Sequence, residues 1–216
     1  MEKIDGMQEI KFHGFLPQAV VLGNGSFPVA KLPLLFLGTA SYLLCCDGAV
    51  NKLVEHGMKP DFIIGDGDSI SEENRQRYAD RFMQVAEQES NDQTKAVNFL
   101  CGKGLTDIVI VGATGGREDH TLGNISLLVD YRRMGLNVRM YTDTGFFVAA
   151  NGDALFESRP GQQVSVFSID ASDMASEGLK YPLHKLSNWW QGTLNEALAD
   201  SFTLRTSGDY IVFLEY

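Results

Sequence analysis

The sequence predicts an α/β N-terminal domain over residues 1–135, built on a mainly parallel, Rossmann-like sheet. A smaller antiparallel β-sandwich or barrel domain follows over 136–216. Three observations predict this. Short, uninterrupted apolar runs alternate with amphipathic segments through the first two-thirds of the chain, and strands buried on both faces belong to parallel sheets covered by helices. Each of those runs ends in Gly, Asp or Asn residues. After about residue 136 the alternation stops, and strand-like segments are separated by turn signals with no convincing amphipathic helix among them.

Taken in order, Ala19-Val20-Val21-Leu22 runs into Gly23-Asn24-Gly25, and Tyr42-Leu43-Leu44-Cys45-Cys46 into Asp47-Gly48. Phe62-Ile63-Ile64 runs into Gly65-Asp66-Gly67-Asp68, and Ile108-Val109-Ile110-Val111 into Gly112-Ala113-Thr114-Gly115-Gly116. Helices are expected around 48–57, 71–80, 92–103 and 119–134; in the last, Leu122, Ile125, Leu128 and Val129 fall on one face. Val138 to Thr142, Phe146 to Ala150, Gln163 to Phe167 and Tyr210 to Leu214 read as strands of the second domain. Asn151-Gly152, Pro160-Gly161 and Ser207-Gly208-Asp209 mark the turns. In parallel sheets ligands collect at the carboxyl ends of the strands, so the four polar strand ends form one site-shaped pattern.

Composition narrows the class. The chain has 216 residues with a formal net charge of −10, 44% hydrophobic and 21% charged, which is ordinary globular composition. The acidic balance disfavours binding to nucleic-acid phosphates. The longest uncharged stretch, Leu32 to Cys46, is shorter than the roughly 20 residues of a membrane span, and Pro33 and Gly38 interrupt it. Glu2, Lys3 and Asp5 argue against a secretory leader. Cys45, Cys46 and Cys101 are odd in number and lack ligand spacing, so they predict buried thiols and a reducing cytoplasm rather than disulfides or structural zinc.

The sharpest chemical cluster is Gly65-Asp66-Gly67-Asp68-Ser69. Asp66 and Asp68 are two apart, so in extended backbone their carboxylates share a face. Paired carboxylates at a strand end suit Mg²⁺ and its phosphate ligands; the plain alternative is an Asp-Gly turn facing water. Ser69 is placed to cap the next helix, with Glu72 reciprocal. In Gly112-Ala113-Thr114-Gly115-Gly116-Arg117-Glu118-Asp119-His120, glycines and a helix start suit an anion, and Arg117 can fork onto phosphate oxygens. Asp119 either orients Arg117 or caps the helix, and His120 reads first as packing or capping. No Gly-Lys-Ser/Thr follows these glycines, and the Gly-x-Gly-x-x-Gly spacing of dinucleotide sites is missing. Asn91-Asp92-Gln93-Thr94-Lys95 opens another helix, with Asn91 or Asp92 as a plain N-cap alternative. Asp47 likewise stands at a helix start.

These blocks, in this order, resemble thiamin pyrophosphokinases. That family carries an Asp-Gly-Gly/Ala-Ala-Asn block, a Gly-Asp-x-Asp-Ser block, an Asp-x-Thr-Asp block and a Gly-Gly-Arg-x-Asp-His block. A β-rich tail follows, matched more loosely here by Glu177 to Leu183 and Gly192 to Glu196. The resemblance implies pyrophosphoryl transfer from Mg-ATP to the hydroxyl of thiamin, giving thiamin diphosphate and AMP. It implies Asp66, Asp68, Asp92 and Arg117 as catalytic residues, with the three aspartates holding Mg²⁺. For ATP it implies Asn24, Asp47, Gly48, Asn51, Gln93, Thr94, Lys95, Thr114, Gly115, Gly116, Arg117, Asp119 and His120. For thiamin it implies Tyr181, Thr193 and Asn195, in a pocket between the subunits of a homodimer. Three positions depart from the family: Lys95 stands for the second Asp of Asp-x-Thr-Asp, Leu194 for a Ser, and Tyr181 for a Trp. Asp92 and Asp68 are both placed to accept the proton of the attacking alcohol. Trp189 and Trp190 invite stacking on thiamin, against the plainer expectation that one of them fills the β core. The competing readings are a pyrophosphokinase for a hydroxymethylpterin, a metal-dependent phosphatase, and a non-catalytic nucleotide or vitamin sensor.

Overall fold

The structure, a computed structural model, describes residues 7–85, 87, 89–171 and 173–216. Strand β1 (Gln8–Ile10) is followed by β2 (Ala19–Leu22), helix α1 (Lys31–Thr39), β3 (Leu43–Cys46), α2 (Ala49–Glu55) and β4 (Phe62–Gly65). Next come α3 (Glu72–Arg77), β5 (Phe82–Gln84), α4 (Asp92–Gly102), β6 (Asp107–Val111), α5 (Glu118–Arg133) and β7 (Asn137–Tyr141). The remainder is strands: β8 (Gly145–Asn151), β9 (Ala154–Glu157), β10 (Gln163–Ser168), β11 (Ala175–Glu177), β12 (Asn195–Glu196), β13 (Ser201–Arg205) and β14 (Asp209–Glu215). Short 3₁₀ turns sit at Ala79–Arg81 and Trp189–Gly192.

Leu16–Thr144 form one compact unit; Gly145–Tyr216, with the described residues up to Phe15, form another. In the first unit the strands run in the order β7-β6-β2-β3-β4-β5, every neighbouring pair parallel. The strands β2 and β3 are buried throughout, as are Ile108 to Val111 of β6. Each fully buried Val, Leu or Ile contributes about 1.5–3 kcal/mol, so the middle of the sheet is the rigid part of the unit. The chain leaves β2 outward through β3, β4 and β5, then returns to the other side of β2 for β6 and β7. The strand order therefore reverses at β2, and a crevice opens at the carboxyl ends there.

The division between units falls after Thr144, not after residue 135. The helix α5 leads directly into β7, and a strand reached through a crossover helix pairs parallel with the one before it. So β7 pairs Asp107↔Asn137 through Val111↔Tyr141 with β6 and belongs to the first unit. The helix α1 was masked in the sequence by Pro33 and Gly38. Proline is tolerated there because Pro33 lies in the first turn, where its missing N–H has no intrahelical acceptor.

In the second unit, β8 and β10 flank β14 antiparallel, and β12 pairs with β10. A separate sheet runs β1-β9-β13-β11, with β1 parallel to β9 and the other pairs antiparallel. Its core includes the stacked rings of Phe156 and Phe202, 5.0 Å apart. Cys45 and Cys46 are buried in β3 and, with Cys101, are free thiols. Among the described residues no helix is long and apolar enough to cross a membrane.

Candidate active site

A cavity of about 360 Å³ opens at the carboxyl ends of β2, β3, β4 and β6, within Leu16–Thr144. Asp47 directly follows β3, with φ 41°, and is 3% exposed. Its two carboxylate oxygens accept from the loop after β4: Oδ1 from the N–H of Gly67 at 2.9 Å, Oδ2 from that of Ser69 at 3.0 Å. Gly65 is required beside it, since a Cβ there would lie 2.6 Å from Asp47 Cβ. Burial pushes the Asp47 carboxyl above its ordinary range and the Asp92 charge adds to this, while the N–H groups of Ser69, Gly48 and Gly67 oppose it. The loop is further braced by Asp66 Oδ1, which accepts the N–H of Asp68 at 3.1 Å, and by the Ser69 hydroxyl donating to Asp68 Oδ1 at 2.7 Å. One oxygen each of Asp47, Asp66 and Asp68 lie within 4.8 Å of one another. Ser69 is therefore not the helix cap; Ser71 is, accepting from the N–H of Asn74.

Across the cavity, Asn91 caps α4 by accepting from the N–H of Thr94 at 2.9 Å, which leaves Asp92 at the first helical position. Lys95 Nζ donates to Asp92 Oδ1 at 3.2 Å, with the Lys95 side chain 5% exposed. Burial raises the Asp92 carboxyl above its usual range; Lys95 opposes this, and the charges of Asp66 and Asp68 add to it. The 112–117 loop is laced to the loop after β2: Gly25 N–H donates to Gly112 O at 2.7 Å and Ser26 N–H to Thr114 O at 2.8 Å. A Cβ on Gly25 would meet Thr114 O at 2.3 Å, so only glycine permits that approach. Arg117 forks onto Asp119, Nη2–Oδ2 2.6 Å and Nε–Oδ1 3.1 Å, and that guanidinium holds Asp119 below the usual carboxylate range. Asp119 thus orients Arg117, and no side chain caps α5.

Asn24, Asp47, Asp66, Asp68, Asp92, Gln93, Lys95, Gly116, Arg117 and His120 all face the cavity. The convergent carboxylates are Asp47, Asp66 and Asp68, whereas Asp92 lines the same space in partnership with Lys95. Gly48, Asn51, Thr94, Thr114, Gly115 and Asp119 are not part of the lining and several of them buttress it. Asn51, for instance, donates to Ser69 O and accepts from Ser71 and Asn74, tying α2 to the loop after β4 and to α3. The Thr94 hydroxyl pairs with Tyr131 OH at 2.9 Å.

Sequence reasoning missed Lys52 and Asn124. Lys52 donates to the carbonyls of Asn24 and Gly25 and holds the loop after β2. Asn124 lines the cavity, donates to Ala113 O at 2.9 Å, and accepts from Asn91 at 2.9 Å. Its signal was present: Asn124 stands four residues after His120 on α5, hence on the same helix face. Cys46 also lines the cavity, but burial holds its thiol well above the ordinary range, so it stays protonated.

The three tail residues lie in the other unit. Asn195 is 2% exposed and spent on the backbone: Oδ1 accepts from the N–H groups of Tyr181 and Glu196, and Nδ2 donates to Tyr181 O at 2.7 Å. Tyr181 itself is 59% exposed. The Thr193 hydroxyl donates to Trp190 O at 2.7 Å. Neither tryptophan fills the β core, since Trp189 and Trp190 are both exposed on the 3₁₀ turn. That turn is closed by a capping box between Asn188 and Gln191, and the Trp189 indole N–H donates to Ser168 O at 3.2 Å with its ring edge-on to Phe167.

Residues 35–140 match the family profile "Thiamin pyrophosphokinase, catalytic domain", and residues 145–213 match "Thiamin pyrophosphokinase, substrate-binding domain". The chain is 30% identical over 146 residues to thiamine pyrophosphokinase of Bacillus subtilis, covering 64% of this chain and 68% of that protein. The chain belongs to the thiamin pyrophosphokinase family. Thiamine pyrophosphokinase 1 of Oryza sativa subsp. japonica is 31% identical over 151 residues, 58% of this chain and 55% of the rice protein. In fold the chain is similar to thiamin pyrophosphokinase from Candida albicans, with TM-score 0.78 at 19% identity over 97% of this chain and 92% of that one. The catalytic profile of the family spans the cavity lining from Cys46 to Asn124, and the gap between the two profiles coincides with the division between the compact units.

Proposed function

We propose that this chain is a thiamin pyrophosphokinase that transfers the terminal diphosphate of ATP to the hydroxyl of thiamin, releasing AMP. The observation that carries the reading is the convergence of Asp47, Asp66 and Asp68 within 4.8 Å at a strand-end cavity that Arg117 also lines. Three hard oxygen donors at that spacing fit a divalent cation such as Mg²⁺. When bound, the ion would neutralise charge on the polyphosphate. Attack on phosphorus needs little covalent help from protein, so the residues act by placing the reactants and balancing charge. Asp66, Asp68 and Asp92 line the acidic wall, and Arg117, aimed by Asp119, offers a planar fork to phosphate oxygens. Asn24, Gln93, Gly116 and His120 complete the nucleotide side. Tyr181, Thr193 and Asn195 are the thiamin side, Asn195 acting by fixing the Tyr181 backbone.

The finer architecture follows the same reading: a Rossmann-like nucleotide domain, a β-sandwich thiamin domain, and a homodimer with thiamin held between subunits. Free cysteines accord with a cytoplasmic enzyme. Both family profiles name thiamin, which disfavours a pterin substrate. Purified protein with Mg-ATP and thiamin is expected to yield AMP and thiamin diphosphate in equal amounts. ADP, or free phosphate released without thiamin, would refute the assignment.

A further inference from the structure

Lysine is rarely buried unless paired, and the Lys95 side chain is 5% exposed. It sits in the first turn of α4, where the helix dipole disfavours a cation. Desolvation and the helix end both act against it, and its hydrogen bond to Asp92 offsets them. It faces the same cavity as Asp47, Asp66 and Asp68. Arg117, which also lines the cavity, is 73% exposed and tied to Asp119. The carboxylates divide accordingly: Asp47, Asp66 and Asp68 converge on one point, while Asp92 is held by the ammonium and stands outside that group.

We propose that Lys95 is a built-in cation that takes the place of a second divalent ion at Asp92. The free protein then binds a single divalent ion, at Asp47, Asp66 and Asp68, and the ammonium lends its charge to the polyphosphate from the Asp92 side. The second half of this inference rests on the kinase reading; the ion count does not. A fixed ammonium needs no free metal to be in place, and its hydrogen bond orients Asp92 without drawing it into the metal set.

The test is a titration of the whole protein with Mn²⁺ alone, bound ions being counted by electron paramagnetic resonance. The wild type is expected to bind one ion per chain. Lys95→Asp, which puts a carboxylate beside Asp92 in place of the ammonium, is expected to bind two, and Lys95→Arg to remain at one. Two ions in the wild type would overturn the proposal with no variant needed. So would a folded Lys95→Asp that still binds only one. The two readings fail separately: no AMP from the wild type would sink the kinase assignment and leave the ion count standing. A count of two with normal AMP formation would sink the role of Lys95 alone.

Discussion

Around the cavity, polar side chains are fixed by hydrogen bonds to the loops: Asp47 accepts two loop N–H groups, Asn124 joins Ala113 O to the Asn91 side chain, and Lys52 clasps two carbonyls. Along the segment from Tyr181 to Leu198 the arrangement is reversed. The polar residue, Asn195, is buried as a strut, while Tyr181, Trp189, Trp190, Leu194 and Leu198 are exposed. Leu194 even takes φ 59°, a backbone state that costs a leucine energy and persists only where its surroundings impose it. A preorganised acidic wall suits charge that must be balanced at a fixed point. Exposed rings on a capped turn suit a flat, weakly polar ligand or an apolar partner surface. In the first region polar side chains face the cavity over an apolar frame, and in the second large apolar side chains face outward over a buried polar strut.

The largest effect should come from the acidic wall. Asp66→Asn and Asp68→Asn keep shape and remove charge, and each is expected to lower kcat by about 10²–10³-fold, as loss of a preorganised electrostatic group does. Thiamin affinity, measured by equilibrium binding, should change little. A normal kcat in either variant would mean that charge at this wall is not what the reaction uses.

The contrast is broken more gently in the second unit. Asn195→Ala strands two N–H groups and a carbonyl, so it is expected to cost about 1–3 kcal/mol in urea denaturation. Trp190→Ala, on the exposed turn, should stay within about 0.5 kcal/mol of the wild type in the same assay. Its thiamin KM should nevertheless rise by up to about tenfold, the worth of one aromatic contact. An unchanged KM with unchanged stability would remove Trp190 from the vitamin side.

What was legible in the sequence follows the same line. A carboxylate directly after a buried run is a local pattern, so Asp47, Asp66 and Asp68 were visible, and the parallel order of their strands makes them neighbours. Asp92 was visible as a helix start, but its pairing with Lys95 depends on how α4 packs. Asn124 carries no local signature, because its role is to join loops that only the sheet brings together. The helix α1 was hidden by a proline that is harmless in a first turn; β7 was legible as a strand but was grouped with the second unit, because the alternation of strand and helix stops one strand before the division. The exposed tryptophans contradict the usual fate of large rings, because they stand on a short 3₁₀ turn that no local pattern in the sequence announces.

The smallest expected effect concerns Asp47, whose carboxyl is raised above its ordinary range by burial and by Asp92. With its folded pKa above the unfolded one, the native state holds the proton more tightly than the unfolded chain. Asp47 therefore favours folding most at pH below the ordinary carboxylate range, and that contribution is lost as pH rises through the raised folded pKa. Other carboxyls common to both proteins titrate alongside it, so the readout is the difference between wild type and Asp47→Asn, in chelator, over a series of acid to neutral pH values. The wild type should lose stability relative to the variant as pH rises through this window. Added Mg²⁺ should restore wild-type stability at neutral pH, by binding the native state alone, and leave the variant less affected. A difference that stays flat with pH would mean that solvent reaches the carboxylate and screens it. The contrast between a preorganised, strained acidic wall and an ordinary polar surface would then lose its clearest physical mark.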